Sequence, residues 1–179
     1  MTIETGDTLP DATLLTIGPD GPAPVSMSDK TSGRKVAIFG VPGAYTGTCT
    51  NAHVPSFIRS MEALKDKGVD EVICVSVNDT FVMDARGDST GAKSAGITML
   101  GDADGSFTKA IGMDWSAPPA GFFGRSRRYS MLVEDGKVTI LNPESGPGEC
   151  DISAGETLVS QLLALGAGCV SPGLSAALV

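Results

Sequence analysis

The sequence predicts one α/β domain, over residues 1–179, in which a central mixed sheet is covered by helices on both faces. Two observations predict this class. Two strand-like apolar runs enclose an amphipathic helical pattern, and two further strand-like runs joined by Asp135-Gly136 precede a final amphipathic helix. With 41% hydrophobic residues, a chain of 179 residues buries about 70% of its unfolded surface and needs neither disulfides nor a structural metal.

The first half of the chain predicts a β-α-β unit. The runs Lys35–Val41 and Val72–Val77 are almost wholly apolar, which is typical of parallel strands buried on both faces. Across Thr50–Lys67, apolar residues recur at steps of three and four, and Gly68 follows, which predicts a helix and its end. Pro55 lies inside this pattern, so the helix either begins close to Pro55 or begins earlier and is kinked there.

The remaining elements are shorter, apart from the last helix. Ser153 and Glu156 form a capping box at its start, and Gly166 is expected to end it, which leaves residues 166–179 as a loosely attached tail. This element order matches a thioredoxin-like sandwich. The other predicted elements are an edge strand or hairpin arm at Ala12–Ile17, short helices at Phe81–Arg86 and Asp104–Ile111, a strand at Thr98–Leu100, and a hairpin of Arg128–Glu134 with Lys137–Leu141.

Charge and composition exclude several classes of function. The net charge of -8 repels phosphate backbones and anionic bilayers, so neither nucleic acid nor a membrane is an expected partner. One histidine and no C-x-x-C spacing argue against a metal site, and no cofactor is expected. The first eleven residues have neither a basic region nor an apolar one, which predicts a cytoplasmic protein with reduced cysteines.

The stretch Pro42–Pro55 is the segment most informative about chemistry, because it joins the end of a buried strand to the start of a helix. It lacks the lysine of a phosphate-binding loop, and Pro55 stands where a tyrosine phosphatase would have arginine. Cys49 falls in the first helical turn, where free N–H groups and the helix dipole favour a thiolate over a thiol. The alternative is that Cys49 is a small core residue.

The sequence of this segment, PGAYTGTCTNAHVPSF, resembles the active-site segment of the peroxiredoxins, specifically the type II group to which peroxiredoxin five belongs. The resemblance continues through Gly68–Met83 and Arg127–Met131 and covers roughly residues 3 to 165. One departure is Gly47, where the family often has proline. The resemblance implies a thioredoxin-like fold and a thiol-dependent peroxidase that reduces hydrogen peroxide and alkyl hydroperoxides through a cysteine sulfenic acid.

The resemblance also implies the roles of four residues. Cys49 is the expected peroxidatic cysteine, Thr46 the hydroxyl that holds the peroxide, Pro42 the residue that shields the thiolate and Arg128 the distant arginine that completes the site. Such a set supplies donors to both peroxide oxygens while charge develops on the leaving oxygen. Without the resemblance, Arg128 would be interpreted as part of a solvated cluster of basic residues. His53 is expected to pack and to form local hydrogen bonds.

The thiol that resolves the sulfenic acid stays open among several candidates. Cys74 has the spacing of the resolving cysteine in plant-like type II members, but it lies in a strand that is expected to be buried. Cys150 lies in a Gly- and Pro-rich loop near the position used by peroxiredoxin five, and Cys169 lies in the tail. An external thiol from glutaredoxin, thioredoxin or glutathione is the other candidate. We favour Cys74 or an external thiol.

The sequence also bears on two other functions. A thioredoxin-fold disulfide reductase is disfavoured because C-x-x-C is absent, and a redox sensor that passes oxidation to a partner remains as an alternative.

The apolar segment Ala117–Gly124 is expected to be irregular, with Phe122 and Phe123 either folded onto the core or exposed as an interface. We predict a homodimer that shields Phe122 or Phe123.

Overall fold

The core of this computed structural model, which describes residues 1–146 and 148–167, is one seven-stranded sheet. The strands are β1 (Thr13–Gly18), β2 (Gly21–Ser26), β3 (Lys35–Gly40), β4 (Glu71–Ser76), β5 (Ile97–Gly101), β6 (Asp114–Ala117), β7 (Phe122–Ser126), β8 (Tyr129–Glu134) and β9 (Lys137–Pro143). The order across the sheet is β2-β1-β5-β4-β3-β8-β9, and β6 pairs with β7 in a separate hairpin.

Among the described residues, five α-helices connect or flank these strands. They are α1 (Met27–Thr31), α2 (Val54–Asp66), α3 (Thr80–Ser89), α4 (Ser106–Ala110) and α5 (Gly155–Ala167). A π-helical turn at Cys49–His53 runs directly into α2, and a 3₁₀ turn occupies Pro118–Ala120. In the part of the chain that the structure describes, no helix combines the length and apolar character needed to cross a bilayer.

The sheet is mixed, as predicted. Strands β3, β4 and β5 are parallel neighbours, whereas β1 and β8 join them antiparallel on either side. The β3-α2-β4 unit is therefore confirmed. The turn between β8 and β9 is also confirmed, because Asp135 and Gly136 both have positive φ, at 48° and 73°, which is typical of the tight turn of a hairpin.

Helices cover both faces because side chains alternate along each strand. On β3, Phe39 belongs to the cluster formed with α2, α3 and α5, while Ile38 belongs to the opposite cluster with α1 and α4. The first cluster includes Phe57, Met61, Leu64, Met83, Leu158 and Leu162. The second includes Met27, Phe107 and Ile111. The predicted thioredoxin-like sandwich is confirmed.

Two predictions about element ends are wrong. The capping box does not form: the Ser153 hydroxyl donates to the Glu144 carboxylate at 2.8 Å, and Glu156 bonds Arg59 instead. Helix α5 also continues past Gly166 to Ala167, and residues 168–179, with Cys169, lie outside the described part of the chain.

The segment expected to be irregular is partly ordered. Ala117 is the last residue of β6 and Phe122 the first of β7, and the two residues pair across this hairpin. Backbone pairing between β6 and β7 therefore fixes the position of the two phenylalanines.

Glycine is required at two close approaches that position the site. A Cβ at Gly40, on β3, would lie 2.6 Å from Cζ of Tyr129 on the neighbouring strand β8. A Cβ at Gly155 would lie 2.8 Å from the Ser56 carbonyl oxygen, where α5 begins against α2. These approaches bring the start of β8 and the loop before α5 to the same end of the sheet as the start of α2.

Candidate active site

The loop that follows β3 is fixed to the end of β4. The Val41 N–H donates to the Val75 carbonyl at 3.0 Å, and the Ser76 hydroxyl donates to the Val41 carbonyl at 3.2 Å. Asn78 Oδ1 accepts from the Ala44 N–H at 3.1 Å. Pro42 is buried between these anchors. The loop therefore holds the residues that lead to Cys49 in a defined orientation at the carboxyl edge of the parallel strands.

Cys49 lies at the first position of the π-helical turn with its side chain 0% exposed. The Thr46 hydroxyl lies 2.7 Å from Cys49 Sγ and 3.3 Å from the Gly43 carbonyl oxygen. A hydroxyl carries one proton, so its role depends on the sulfur. Beside a thiolate it donates to Sγ. Beside a thiol it accepts from the S–H and donates to Gly43.

The π-helical turn settles how Pro55 is accommodated. The Val54 N–H bonds the Cys49 carbonyl, five residues back, and α2 then begins with Pro55 in its first turn. Proline lacks the N–H that would bond a carbonyl of the preceding turn, and its ring needs room there, which a wider π-helical turn provides. The helical path thus begins before Pro55, at Cys49, and a wider turn precedes the proline. Such turns occur mainly at functional sites.

His53 and Arg128 form a buried pair on the core side of this turn. Nη1 of Arg128 lies 3.2 Å from Nδ1 of His53, and Nε2 of His53 lies 3.0 Å from the Ser153 carbonyl oxygen. Burial, reinforced by the charge of Arg128, lowers the pKa of His53 to about 3. The imidazole is therefore neutral, with Nε2–H donating to Ser153 and Nδ1 accepting from Arg128.

The ring of His53 packs against Phe39 and Phe57, with centroids 5.1 and 5.6 Å away. Both ring nitrogens are bonded, and the two phenylalanine rings, which stack on each other with centroids 4.1 Å apart, both contact the imidazole in edge-to-face geometry. His53 thus has the packing and hydrogen-bonding character expected of it, and it orients the Arg128 guanidinium.

Similarity to known proteins identifies the family of this chain. The Redoxin family profile matches residues 4–159. Peroxiredoxin-2E-2, chloroplastic, of Oryza sativa subsp. japonica is 47% identical over 161 residues, which cover 88% of this chain and 72% of that protein. Peroxiredoxin-2B of Arabidopsis thaliana is 42% identical over 161 residues, covering 89% and 98%. The chain belongs to the type II peroxiredoxins.

Solved peroxiredoxin structures share the fold. Reduced Prx3 of Vibrio vulnificus, in complex with hydrogen peroxide, superposes with a TM-score of 0.83 at 44% identity, covering 90% of this chain and 99% of that one. Peroxiredoxin 5 of Alvinella pompejana gives a TM-score of 0.78 at 30% identity, with coverage of 90% and 99%. The similarity therefore extends over nearly the whole described domain of this peroxiredoxin.

Arg86, on α3, is a site residue that the sequence reasoning missed. Its side chain is 0% exposed, and Nη2 donates to the Cys49 carbonyl at 2.9 Å. Nη1 donates to the Thr50 hydroxyl at 3.2 Å. An arginine near the end of a predicted helix is ordinary. The available signal was its spacing: Arg86 follows Met83 by three residues, on the face of α3 that is buried.

The two described cysteines other than Cys49 differ in accessibility, and all three are free thiols. Cys74 is fully buried in β4, where burial raises its pKa to about 12 and the nearby charge of Arg86 opposes that rise. Cys150 is half-buried in the loop before α5. Burial raises its pKa too, and Arg128 opposes the rise. Both are therefore neutral thiols at pH 7 in this conformation.

The loop that carries Cys150 is held against the start of the π-helical turn. The Thr48 hydroxyl donates to the Gly148 carbonyl at 3.2 Å. One carboxylate oxygen of the buried Glu144 accepts from the N–H groups of Asp151 and Ser153 at 2.7 and 2.9 Å. The structure thus brings Cys150 into the neighbourhood of Arg128 and of the turn that begins at Cys49.

A cleft of about 150 Å³ opens beside Arg128. It is lined by Trp115, Arg127, Arg128, Glu144, Ser145 and Gly146. Trp115 supplies its apolar wall, and its lining residues include Arg128 but neither Cys49 nor Thr46.

Proposed function

We propose that this peroxiredoxin reduces hydrogen peroxide and small alkyl hydroperoxides through Cys49. Thr46 and Arg128 would bind the peroxide, and Pro42 would shield the thiolate. Thiol-dependent reduction of peroxides is the reaction class of the family to which the chain belongs. The observation that carries the residue assignment is the 2.7 Å contact between the Thr46 hydroxyl and the buried Cys49 sulfur.

The reaction follows from these groups. The Cys49 thiolate attacks one peroxide oxygen, an S–O bond forms, and the O–O bond breaks with its electron pair leaving on the second oxygen. That oxygen takes a proton and departs as water or an alcohol, and Cys49 becomes a sulfenic acid. Negative charge develops on the departing oxygen, where the fixed guanidinium of Arg128 stabilises it. His53 takes no proton, because its nitrogens are already bonded.

Resolution joins the sulfenic acid to a second thiol, forming a disulfide and releasing water. Cys74 is neutral, fully buried and held in a strand, so burial and its pKa of about 12 argue against it. Cys150 is half-buried in a loop bonded to Thr48. We therefore favour Cys150 over Cys74, with an external thiol of glutaredoxin, thioredoxin or glutathione reducing the product.

Mass spectrometry after one equivalent of hydrogen peroxide tests both assignments. We expect a disulfide between Cys49 and Cys150 in the native chain, and a Cys49 sulfenic acid in the Cys150→Ser variant. A bond to Cys74, or a lone sulfenic acid in the native chain, would reassign the resolving thiol. Oxidation that spares Cys49, or peroxidase activity that survives Cys49→Ser, would contradict the proposed function itself.

We also propose a homodimer whose interface shields Phe123. Phe123 is 68% exposed at the hairpin of β6 and β7, while Phe122 packs partly on Trp115, with ring centroids 5.6 Å apart. An exposed aromatic side chain on an ordered hairpin favours an interface. Sedimentation equilibrium at micromolar protein should show a dimer that Phe123→Asp weakens. Leu163→Asp, at an exposed position of α5, is the matched control and should leave the dimer intact.

We also propose that the chain forms a single domain and that the protein is cytoplasmic. The Redoxin match over residues 4–159 supports a single domain. Named relatives include chloroplastic and mitochondrial forms as well as Peroxiredoxin-2B and Peroxiredoxin-2C, whose names carry no organelle. The cytoplasmic location agrees with the free cysteines, because thiols are kept reduced in the cytosol. Subcellular fractionation that recovers the protein in an organelle would overturn this placement.

A further inference from the structure

We propose that Arg86 is a positioning residue that holds the start of the Cys49 helix closed during peroxide reduction and must release it before the sulfenic acid is resolved. The proposal rests on the proposed role of Cys49. It concerns the balance between two later reactions of that cysteine and leaves the peroxide-binding groups unchanged.

The guanidinium joins α3 to the first two residues of the reactive turn. It donates to the Cys49 carbonyl at 2.9 Å and to the Thr50 hydroxyl at 3.2 Å. The Thr50 hydroxyl in turn lies 3.1 Å from the Thr46 carbonyl oxygen, to which it donates. Arg86 is thus connected to Cys49 directly and to Thr46 through Thr50. Two donors on one rigid plane restrict the turn more than a single point contact would.

The backbone of Arg86 is itself firmly held. Its carbonyl accepts from the Thr90 N–H at 3.0 Å, the Thr90 hydroxyl at 2.8 Å and the Ser89 hydroxyl at 3.1 Å. The side chain therefore extends from a fixed point toward the turn. Helix α3 itself packs against β5 and β1, so if the two elements separate, the turn that begins at Cys49 is the part that moves.

Burying this charge is unfavourable unless it is compensated. Within residues 1–146 and 148–167, Arg86 makes no ion pair with a carboxylate, and its Nε has no hydrogen-bond partner. Its compensation comes from the Cys49 carbonyl, the Thr50 hydroxyl and the ring of Tyr45, whose centroid lies 6.0 Å away. These partners belong to the loop and turn around Cys49, and outside them the Cys74 thiol on β4 also interacts with the guanidinium. The desolvated charge therefore depends mainly on that turn staying closed.

Resolution requires the turn to open. Cys49 Sγ is fully buried, and the Cα atoms of a disulfide lie about 5.5 to 6 Å apart. A second thiol approaches the sulfur only if Cys49 moves outward, and the Cys49 carbonyl moves with it. Both hydrogen bonds from Arg86 then break or lengthen. The strength of those bonds consequently sets how often the sulfenic acid is accessible.

Two reactions of the sulfenic acid compete. In the closed turn, a second peroxide oxidises it to a sulfinic acid: an oxygen is added to sulfur and water is released. In the open turn, a thiol condenses with it, which forms an S–S bond and also releases water. Stronger retention by Arg86 favours the sulfinic acid, and weaker retention favours the disulfide.

Arg86→Met tests this balance. The Cys49 carbonyl keeps its bond from the Val54 N–H, so the variant leaves no acceptor there without a donor. With glutathione and hydrogen peroxide present, the rate constant for forming the Cys49 disulfide should rise about tenfold, because a hydrogen bond from a charged donor has about that effect on an equilibrium. The ratio of sulfinic acid to disulfide, measured by intact mass, should fall by a similar factor. The rate of the first oxidation should not rise.

Two further variants separate this effect from general destabilisation. Val138→Ala removes buried volume from β9 in the cluster on the opposite face of the sheet and should lower stability in urea without changing the ratio. Thr50→Val removes one of the acceptors of Arg86 and should shift the ratio in the same direction by less. If Arg86→Met does not fold, the ratio of sulfinic acid to disulfide in Thr50→Val still tests the role of Arg86.

An unchanged or slower disulfide step in Arg86→Met or in Thr50→Val would overturn the inference, as would an equal shift in Val138→Ala. These outcomes are distinct from failure of the proposed function. That failure would appear in the native chain, as peroxide that leaves Cys49 unoxidised.

Discussion

Replacing Thr46 with valine tests the contact on which the proposed site depends. Valine keeps the branched shape of threonine and removes the hydroxyl, so the loop before Cys49 retains its packing. The structure places that hydroxyl 2.7 Å from Cys49 Sγ, at a half-buried position where water replaces it poorly. Its only other contact in the described chain is a long one, 3.3 Å to the Gly43 carbonyl.

The expected effect on the rate follows from the charge on sulfur. A hydrogen bond to a charged group contributes about 1.5 to 3 kcal/mol. If that contribution acts on the transition state for attack on peroxide, its loss slows the second-order reaction by about 10- to 150-fold. The free energy of unfolding should change by less than about 1 kcal/mol, because the contact of Thr46 with Gly43 is weak.

The measurement is stopped-flow oxidation of Cys49 by hydrogen peroxide under single-turnover conditions. Thr46→Ser is the matched control, since it keeps the hydroxyl and loses only a methyl group, and it should remain within about threefold of the native rate. A Thr46→Val variant that reacts within threefold of the native protein would refute the reasoning. So would a serine variant as slow as the valine variant.

Arg128→Met should slow peroxide reduction by about 10²- to 10³-fold in a steady-state peroxidase assay, because it removes the fixed positive charge near the departing oxygen; a loss under threefold would contradict the assignment. His53 has a folded pKa of about 3, below the value of 6.5 in the unfolded chain. The unfolded chain therefore binds one more proton between these values, and stability falls by about 1.4 kcal/mol for each pH unit below 6.5. Urea unfolding of the native chain and of His53→Gln should differ in that slope. Gly40→Ala should destabilise the fold by at least about 1 to 3 kcal/mol, because its methyl group would overlap the Tyr129 ring. Gly47→Ala, where nothing lies within 4 Å, should unfold at nearly the native urea concentration.

Local sequence patterns determined strands β1, β3, β4, β5, β8 and β9, the presence of the final helix and the position of Cys49. The apolar run at Lys35–Val41 lies in β3, and the Asp135-Gly136 turn forms as predicted. Both depend on residues adjacent in the chain: alternation along a strand and positive φ at a tight turn. The peroxiredoxin-like spacing of Thr46 and Cys49 is local in the same way, since the two residues are three apart and meet within one turn.

Only the tertiary structure decided how that turn is held. Arg86 reaches the Cys49 carbonyl across 37 residues, and His53 reaches Ser153 across 100. The predicted capping box failed for the same reason, because the Ser153 hydroxyl bonds the buried Glu144 carboxylate. A buried polar group takes the partner that packing brings within reach, since leaving it unpaired is costly. Periodicity and spacing along the chain do not record which remote segments the folded sheet and its helices bring together at Cys49.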